Sequence, residues 1–414
     1  MNLGLTYNGV TGYRSDDEVS NFRIRPERRH EYELGADISL FDGSMGISTT
    51  IYNAINNDVI YNVDVTPSTG ADEMTANGAS IGNKGIEFTI DYRAIDTEKL
   101  KWDSKLIYAS NKNSVLEMNG ITGSMAKIMS EDLVPSRGIA KFSEVSPGRE
   151  YAEFKVLSWA RFGYGMVVDH DLNINTPDVN IDTLKDYSWS KNDVYVAKNG
   201  LPIMYSQKIW SGYAPNPDWT GSFFNELSIG KKLKISCLID ISIGGHIANY
   251  TKNALYEWGT HADTDKRYHP DFDNPNWHGY QEGVSTNWGK GTFQELLNHN
   301  HKSIGPGQDT IITYSQNFYE NYMGRNTDVI NNIEDASYAK LRELSLSYNF
   351  GKINNSYLGN PGVIVRLSAQ DLITWTKYSG WDPETNMYQD RISGEDYFNQ
   401  PQTWRANLAL QLNW

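Results

Sequence analysis

The sequence predicts an all-β chain and, within that class, an antiparallel β-barrel that crosses a membrane. Three observations carry this expectation. Apolar and polar residues alternate over many segments of seven to eleven residues. Tyrosine and tryptophan gather where those segments end. The last segment is long enough to cross a bilayer at a tilt.

The alternation begins clearly at "EYELGADISLF", where Tyr32, Leu34, Ala36, Ile38 and Leu40 oppose Glu31, Glu33, Gly35, Asp37 and Ser39. In "GIEFTIDYR", Ile86, Phe88, Ile90 and Tyr92 oppose Glu87, Thr89, Asp91 and Arg93. "LKISCLIDISIG" sets Leu233, Ile235, Cys237, Ile239, Ile241 and Ile243 on one side. "RELSLSYNF" does the same with Leu344, Leu346, Tyr348 and Phe350, and "GVIVRLSAQD" with Val363, Val365, Leu367 and Ala369. The chain closes on "WRANLALQLNW", where Trp404, Ala406, Leu408, Leu410, Leu412 and Trp414 oppose Arg405, Asn407, Ala409, Gln411 and Asn413. A period of two means a strand with two distinct faces. Weaker runs at 3–9, 45–53, 101–110, 151–160 and 223–229 bring the expectation to roughly ten to twelve strands. Helical periodicity is nearly absent, with 290–302 the best candidate for a short helix. Segments 111–150, 161–220 and 246–336 read as long loops. No linker divides residues 1–414, so the chain reads as one unit.

Alternation alone fits a soluble sandwich equally well, with one strand face on a core and the other in water. The aromatic termini favour the membrane, because phenol and indole rings suit the headgroup level. The final strand agrees, with an apolar row between two tryptophans and a polar row behind it.

Composition narrows the function. The 414 residues hold 37 Lys and Arg against 51 Asp and Glu, a net charge of −14. No basic run is available to neutralise phosphates, which argues against nucleic acid as a partner. One cysteine, Cys237, allows neither an internal disulfide nor a cysteine-based metal site. No apolar run approaches the ~18 residues of a spanning helix. The N-terminus lacks the charged and apolar regions of a secretion signal. No nucleophile elbow, phosphate loop, zinc-protease or dinucleotide motif is present, so no catalytic residue is assigned.

Two loop features are candidates for binding. His261, Asp263, Asp265, His269, Asp271, Asp273 and His278 crowd together. Asp263, Asp265, Asp271 and Asp273 are weak candidates for Ca²⁺, because hard oxygen ligands suit that ion; the spacing matches no EF-hand, and a hydrated loop is the simpler reading. Trp189, Trp210, Trp219, Trp258, Trp277, Trp288, Trp375 and Trp381 lie in or near loops, where indoles either stack on ligands or pack loops together.

"RPERRHEYELGADISLFDGSMGISTTIYNAINNDVI" (25–60), "IGNKGIEFTIDY" (81–92), "LKISCLIDISIGGHIANYT" (233–251), "SYAKLRELSLSYNF" (337–350) and "SAQDLITWTKYSGWDPE" (368–384) resemble the C-terminal part of SusC/RagA-type TonB-dependent outer-membrane transporters. The resemblance implies an integral outer-membrane barrel whose final strand (Trp404, Leu408, Leu410, Leu412 and Trp414) is the insertion signal. It implies about half of a ~22-stranded barrel, with the plug absent. It also implies import of a bulky nutrient such as an oligosaccharide or peptide, a SusD-like surface lipoprotein, and TonB acting through the missing N-terminal part. No enzyme activity or resident cofactor is expected. Closure into a smaller barrel is a geometric alternative. A soluble carbohydrate-binding β protein and a transporter remnant without function are the rival readings.

Overall fold

The computed structural model describes residues 2–7, 10–14, 18–64, 73–118, 146–156, 209–262, 332–354, 359–385 and 394–413. In chain order the elements are β1 (Asn2–Tyr7), β2 (Val10–Arg14), β3 (Glu18–Val19), β4 (Arg28–Leu40), β5 (Met45–Asp64), β6 (Glu73–Asp96) and β7 (Leu100–Met118). There follow β8 (Lys155–Val156), β9 (Ile209–Trp210), β10 (Trp219–Ile229), β11 (Leu233–Ile243), β12 (His246–Asn249) and helix α1 (Tyr250–Glu257). The chain ends with β13 (Ile333–Asp335), β14 (Tyr338–Lys352), β15 (Gly362–Thr376), β16 (Glu395–Asp396) and β17 (Arg405–Asn413). Among the described residues, no helix is long and apolar enough to cross a membrane.

One large sheet dominates, in the order β17-β15-β14-β11-β10-β7-β6-β5-β4, with β3 attached to β6. Every neighbouring pair along that path is antiparallel. The register joins the alternating rows foreseen from the sequence into continuous stripes. Ile38, Ile47, Ile90, Leu106, Phe223, Ile239, Leu341 and Ile373 stand opposite one another in turn across eight strands. One residue along, Asp37, Ser48, Thr89, Ile107, Ser222, Asp240, Lys340 and Thr374 form the neighbouring row on the other face. A period of two makes this separation automatic once the register is set.

Among the described residues, nothing covers the apolar face. Leu34 is 70 % exposed and Leu408 75 %. Such a face is stable only against an apolar medium or another protein surface. From Trp219 to Ile229, β10 advances ten steps at ~3.4 Å each; tilted by ~40°, that spans ~26 Å, the height of a bilayer's apolar band. Aromatic rings lie on this face toward both ends: Tyr32, Tyr108, Trp219 and Trp375 toward one, Tyr92, Trp102, Tyr348 and Phe350 toward the other. Tyr108 and Trp219 stack with centroids 5.6 Å apart.

The two ends of the sheet differ. At one end the strands turn through 41–44, 97–99, 230–232 and 353–361. The first of these is a tight turn with Phe41, Asp42 and Gly43 at φ 53°, 53° and 84°. At the other end the chain leaves through 65–72, 119–218, 244–337 and 377–404. Three of the four connections at the second end are longer than any at the first, an asymmetry that characterises outer-membrane barrels.

Several sequence expectations change. Among the described residues the large sheet has ten strands, nine along its path and β3 beside β6, and the other strands form three small sheets. The run at 151–160 contributes only β8 within its described residues. Segment 111–150 begins as the last eight residues of β7, and 246–336 holds β12, α1 and β13, so neither is wholly irregular. The expected helix at 290–302 lies outside the described residues. The helix that is described, α1, was missed; its eight residues are too few to establish a 3.6-residue period. Asn249 caps it, its side chain accepting the Lys252 N–H at 2.8 Å.

Candidate functional site

At the long-loop end, the chain after β15 turns back across the polar face of the sheet. A β-bulge at Arg342 builds the contact. Against β11, Leu238 faces Glu343 and Ile239 faces Leu341, so Arg342 has no partner there. Against β15, Leu341 faces Ile373 and Glu343 faces Gln370, and within this bulge Asp371 adopts φ 52°. One extra residue reverses the alternation along β14. Ala339 and Leu341 therefore share the apolar face with Leu344, Leu346 and Tyr348, and Lys340 turns to the polar face.

Lys340 is 1 % exposed, and its ammonium donates to Asp382 Oδ1 and Glu384 Oε2, each at 2.7 Å. The Arg342 guanidinium donates to Asp240 Oδ2 at 2.7 Å, to Asp371 Oδ1 at 3.1 Å, and to Glu384. Gln402, just before β17, donates to Glu384 Oε2 at 3.2 Å. Burial pushes the Glu384 carboxyl up, but the bonds from Arg342 and Lys340 outweigh it and hold the group down at about 2. The Asp382 carboxylate also accepts the Glu384 backbone N–H at 2.9 Å. A buried ion pair adds little net stability, yet removing one partner strands the other without water. The arrangement clamps the loop in one position.

A second group of contacts anchors the same loop from above. Ser379 donates its N–H to Glu334 Oε2 at 2.8 Å and its hydroxyl to Oε1 at 2.7 Å. Lys252 of α1 donates to Glu334 Oε1 at 2.9 Å. Tyr378 donates its hydroxyl to Asp396, which also accepts from Thr251 at 3.1 Å. Burial and the bond to Asp396 push the Tyr378 phenol far above its usual range. Burial raises the Glu395 carboxyl to about 7. Beneath these groups lies a small core of Phe154, Val156, Ala248, Tyr250 and Ile333, with Tyr397 packed against it. It joins the sheet β13-β12-β16, whose β12–β16 pair is parallel, to the β8–β9 pair.

The loop tryptophans have distinct places. Trp210 lies under Arg149 and Lys155, at 5.0 and 5.3 Å from its centroid. Trp258 stacks on Phe398 at 5.4 Å. Trp219 and Trp375 lie on the apolar face. Trp381, in the clamped loop, is 76 % exposed. Trp189, Trp277 and Trp288 lie outside the described residues, as do Asp263, Asp265, Asp271 and Asp273. Among the described residues, no group of three or more His, Cys, Asp and Glu side chains is placed to hold a metal. In the last strand, Leu408, Leu410 and Leu412 share the apolar row with Leu367, Val365 and Val363 of β15. Trp404 immediately precedes β17, and Trp414 lies outside the described residues. The clamp itself was not foreseen, because its bases lie on β14 and its acids come from β11, β15 and the loop after β15.

No family model matches the chain. It is 23 % identical over 414 residues to TonB-dependent receptor P3 of Formosa agariphila, covering 95 % of this chain and 35 % of that protein. TonB-dependent receptor P39 of the same organism is 31 % identical over 117 residues, covering 28 % of this chain and 11 % of that protein. Among solved structures, the RagAB peptide transporter matches 93 % of this chain and 35 % of its own, with TM-score 0.57 and 15 % identity. The RagAB peptide importer in its open-open state gives TM-score 0.58 at 16 % identity, covering 93 % of this chain and 34 % of its own. The chain spans about a third of the length of the first of these receptors and of each of these structures. An open antiparallel sheet with an apolar outer face, a polar inner face and long loops at one end is what a sector of such a protein presents. The chain is a homologue of the TonB-dependent receptors, which are outer-membrane transporters and not enzymes, and its sheet is an arc of their β-barrel.

Proposed function

We propose that the chain forms part of the wall and mouth of an outer-membrane importer energised through TonB, which takes up a bulky nutrient, an oligosaccharide or a peptide. A SusD-like surface lipoprotein would close the mouth at the long-loop end, and TonB would act from the short-turn end. The observation that carries this reading is the pair of opposed faces running unbroken across nine strands. A polar inner face suits a hydrated passage, and the apolar outer face suits lipid.

The strand count adds a constraint on how the wall is completed. In an antiparallel meander, strands alternate in direction, so β4 and β17, the first and ninth of the path, run the same way. Joining them directly would make one parallel seam in an otherwise antiparallel barrel. An odd number of further strands between them restores alternation and leaves no open edge in lipid. Closure of these nine strands into a smaller barrel is therefore disfavoured.

An antibody against residues 404–414, applied to outer-membrane fractions, tests the reading. The expected product is membrane-bound and changes its mobility in SDS when boiled. A band heavier than 46.9 kDa means the same polypeptide supplies the missing strands. A band at 46.9 kDa means that a separate one does. Recovery in the soluble fraction without detergent would overturn the proposal.

A further inference from the structure

The loop 377–385 holds its polar groups and withholds its largest apolar one. Tyr378, Ser379, Asp382 and Glu384 are each bound by side chains from elsewhere in the fold. Thr385 donates its hydroxyl to the Asp382 carbonyl at 2.8 Å. Gly380 lies against the Tyr378 ring, leaving no room there for a β-carbon. Between these fixed points Trp381 remains in solvent. An indole on a rigid backbone has little ordering entropy left to lose on binding, which is the property of an interaction hot spot.

The electrostatic surroundings select the occupant. Among the described residues, Asp240, Asp371, Asp382 and Glu384 pair with Lys340 and Arg342, four carboxylates against two cations. An aromatic face in a region of net negative charge attracts cations, through the ring quadrupole at contact and through the field at longer range. The chain already uses this chemistry internally, where Arg149 and Lys155 lie over Trp210.

We propose that Trp381 is a ligand-contact residue on the inner rim of the passage, and that it receives the cationic side chain of an imported peptide. This rests on the import reading above and specifies its substrate. Arg342 and Lys340 are positioning residues, which hold the loop without touching the ligand.

The test compares binding to outer membranes from cells producing the native protein, Trp381→Ala or Trp381→Phe, with protein amounts equalised by immunoblot. The probes are a fluorescent lysine-rich pentapeptide, the same peptide with its lysine amines acetylated, and a neutral fluorescent hexasaccharide. The expected result is that Trp381→Ala weakens the lysine peptide about tenfold, that Trp381→Phe restores most of the affinity, and that acetylation weakens native binding equally. Unchanged peptide binding in Trp381→Ala overturns the assignment. So does a selective loss of hexasaccharide binding, which would make the indole a sugar platform. A fall in the membrane-inserted amount of Trp381→Ala alone also overturns it, because the indole would then pack against the rest of the barrel. If native membranes retain none of the probes and take none of them up, the import reading falls together with the assignment.

Discussion

The wall and the loop head of this molecule are built by opposite rules. In the wall, large apolar side chains are exposed along whole strands, and the few buried apolar residues, such as Ala54, Val115 and Val363, are small to medium. In the head, Phe154, Val156, Ala248 and Tyr250 are buried, and ion pairs and hydroxyl–carboxylate bonds tie together segments far apart in sequence. The wall needs lipid outside it to be stable, whereas the head carries its own small core. The difference teaches that burial is a poor guide to importance in such a chain: Leu408 is no less constrained than Phe154, only by a different solvent.

The largest effect should come from placing a charge on the lipid side of the wall. Leu410→Arg, near the middle of β17, is expected to cost about 2–4 kcal/mol and to abolish folding into liposomes. Gln411→Arg, one residue away on the polar face, should fold as the native chain does. Equal behaviour of the two variants would erase the distinction between the faces.

Breaking the link between wall and head should have a smaller and more local effect. Lys340→Ala leaves Asp382 buried without its partner, at about 3–5 kcal/mol against the docked loop. That energy is relieved locally if the loop lifts into water. Limited proteolysis should therefore cut within 377–385 while the SDS-resistant barrel persists. Loss of the barrel itself would mean that the clamp supports the wall.

The smallest effect is a pH dependence of the same clamp. Glu384 has its folded-state pKa lowered from 4.5 to about 2, so its contribution is present above about 4.5 and fades as pH falls through about 2. Trp381, three residues away, is the natural reporter. In a variant with the other tryptophans replaced, its fluorescence should stay constant above pH 5 and change below it. A transition centred near neutrality would assign the titration to another group, such as Glu395.

The period of two across Tyr32–Leu40, Ile86–Tyr92, Leu233–Ile243 and Leu344–Phe350 determined, from the sequence alone, which residues share the apolar face and which the polar face. Side chains alternate strictly along a strand, so each short stretch carries its own answer. The same local rule misleads at 338–343, where uninterrupted alternation would put Tyr338, Lys340 and Arg342 on the lipid side with Leu344. Only the tertiary structure settled that, through a bulge that turns Lys340 and Arg342 toward Asp240, Asp371, Asp382 and Glu384. All four come from other strands or from the loop after β15, and no local pattern announces them. The direction of β4 relative to β17 likewise depends on counting paired strands, and which segments pair is a long-range fact. Faces are a property of neighbouring residues; clamps, bulges and closure are properties of segments brought together by the fold.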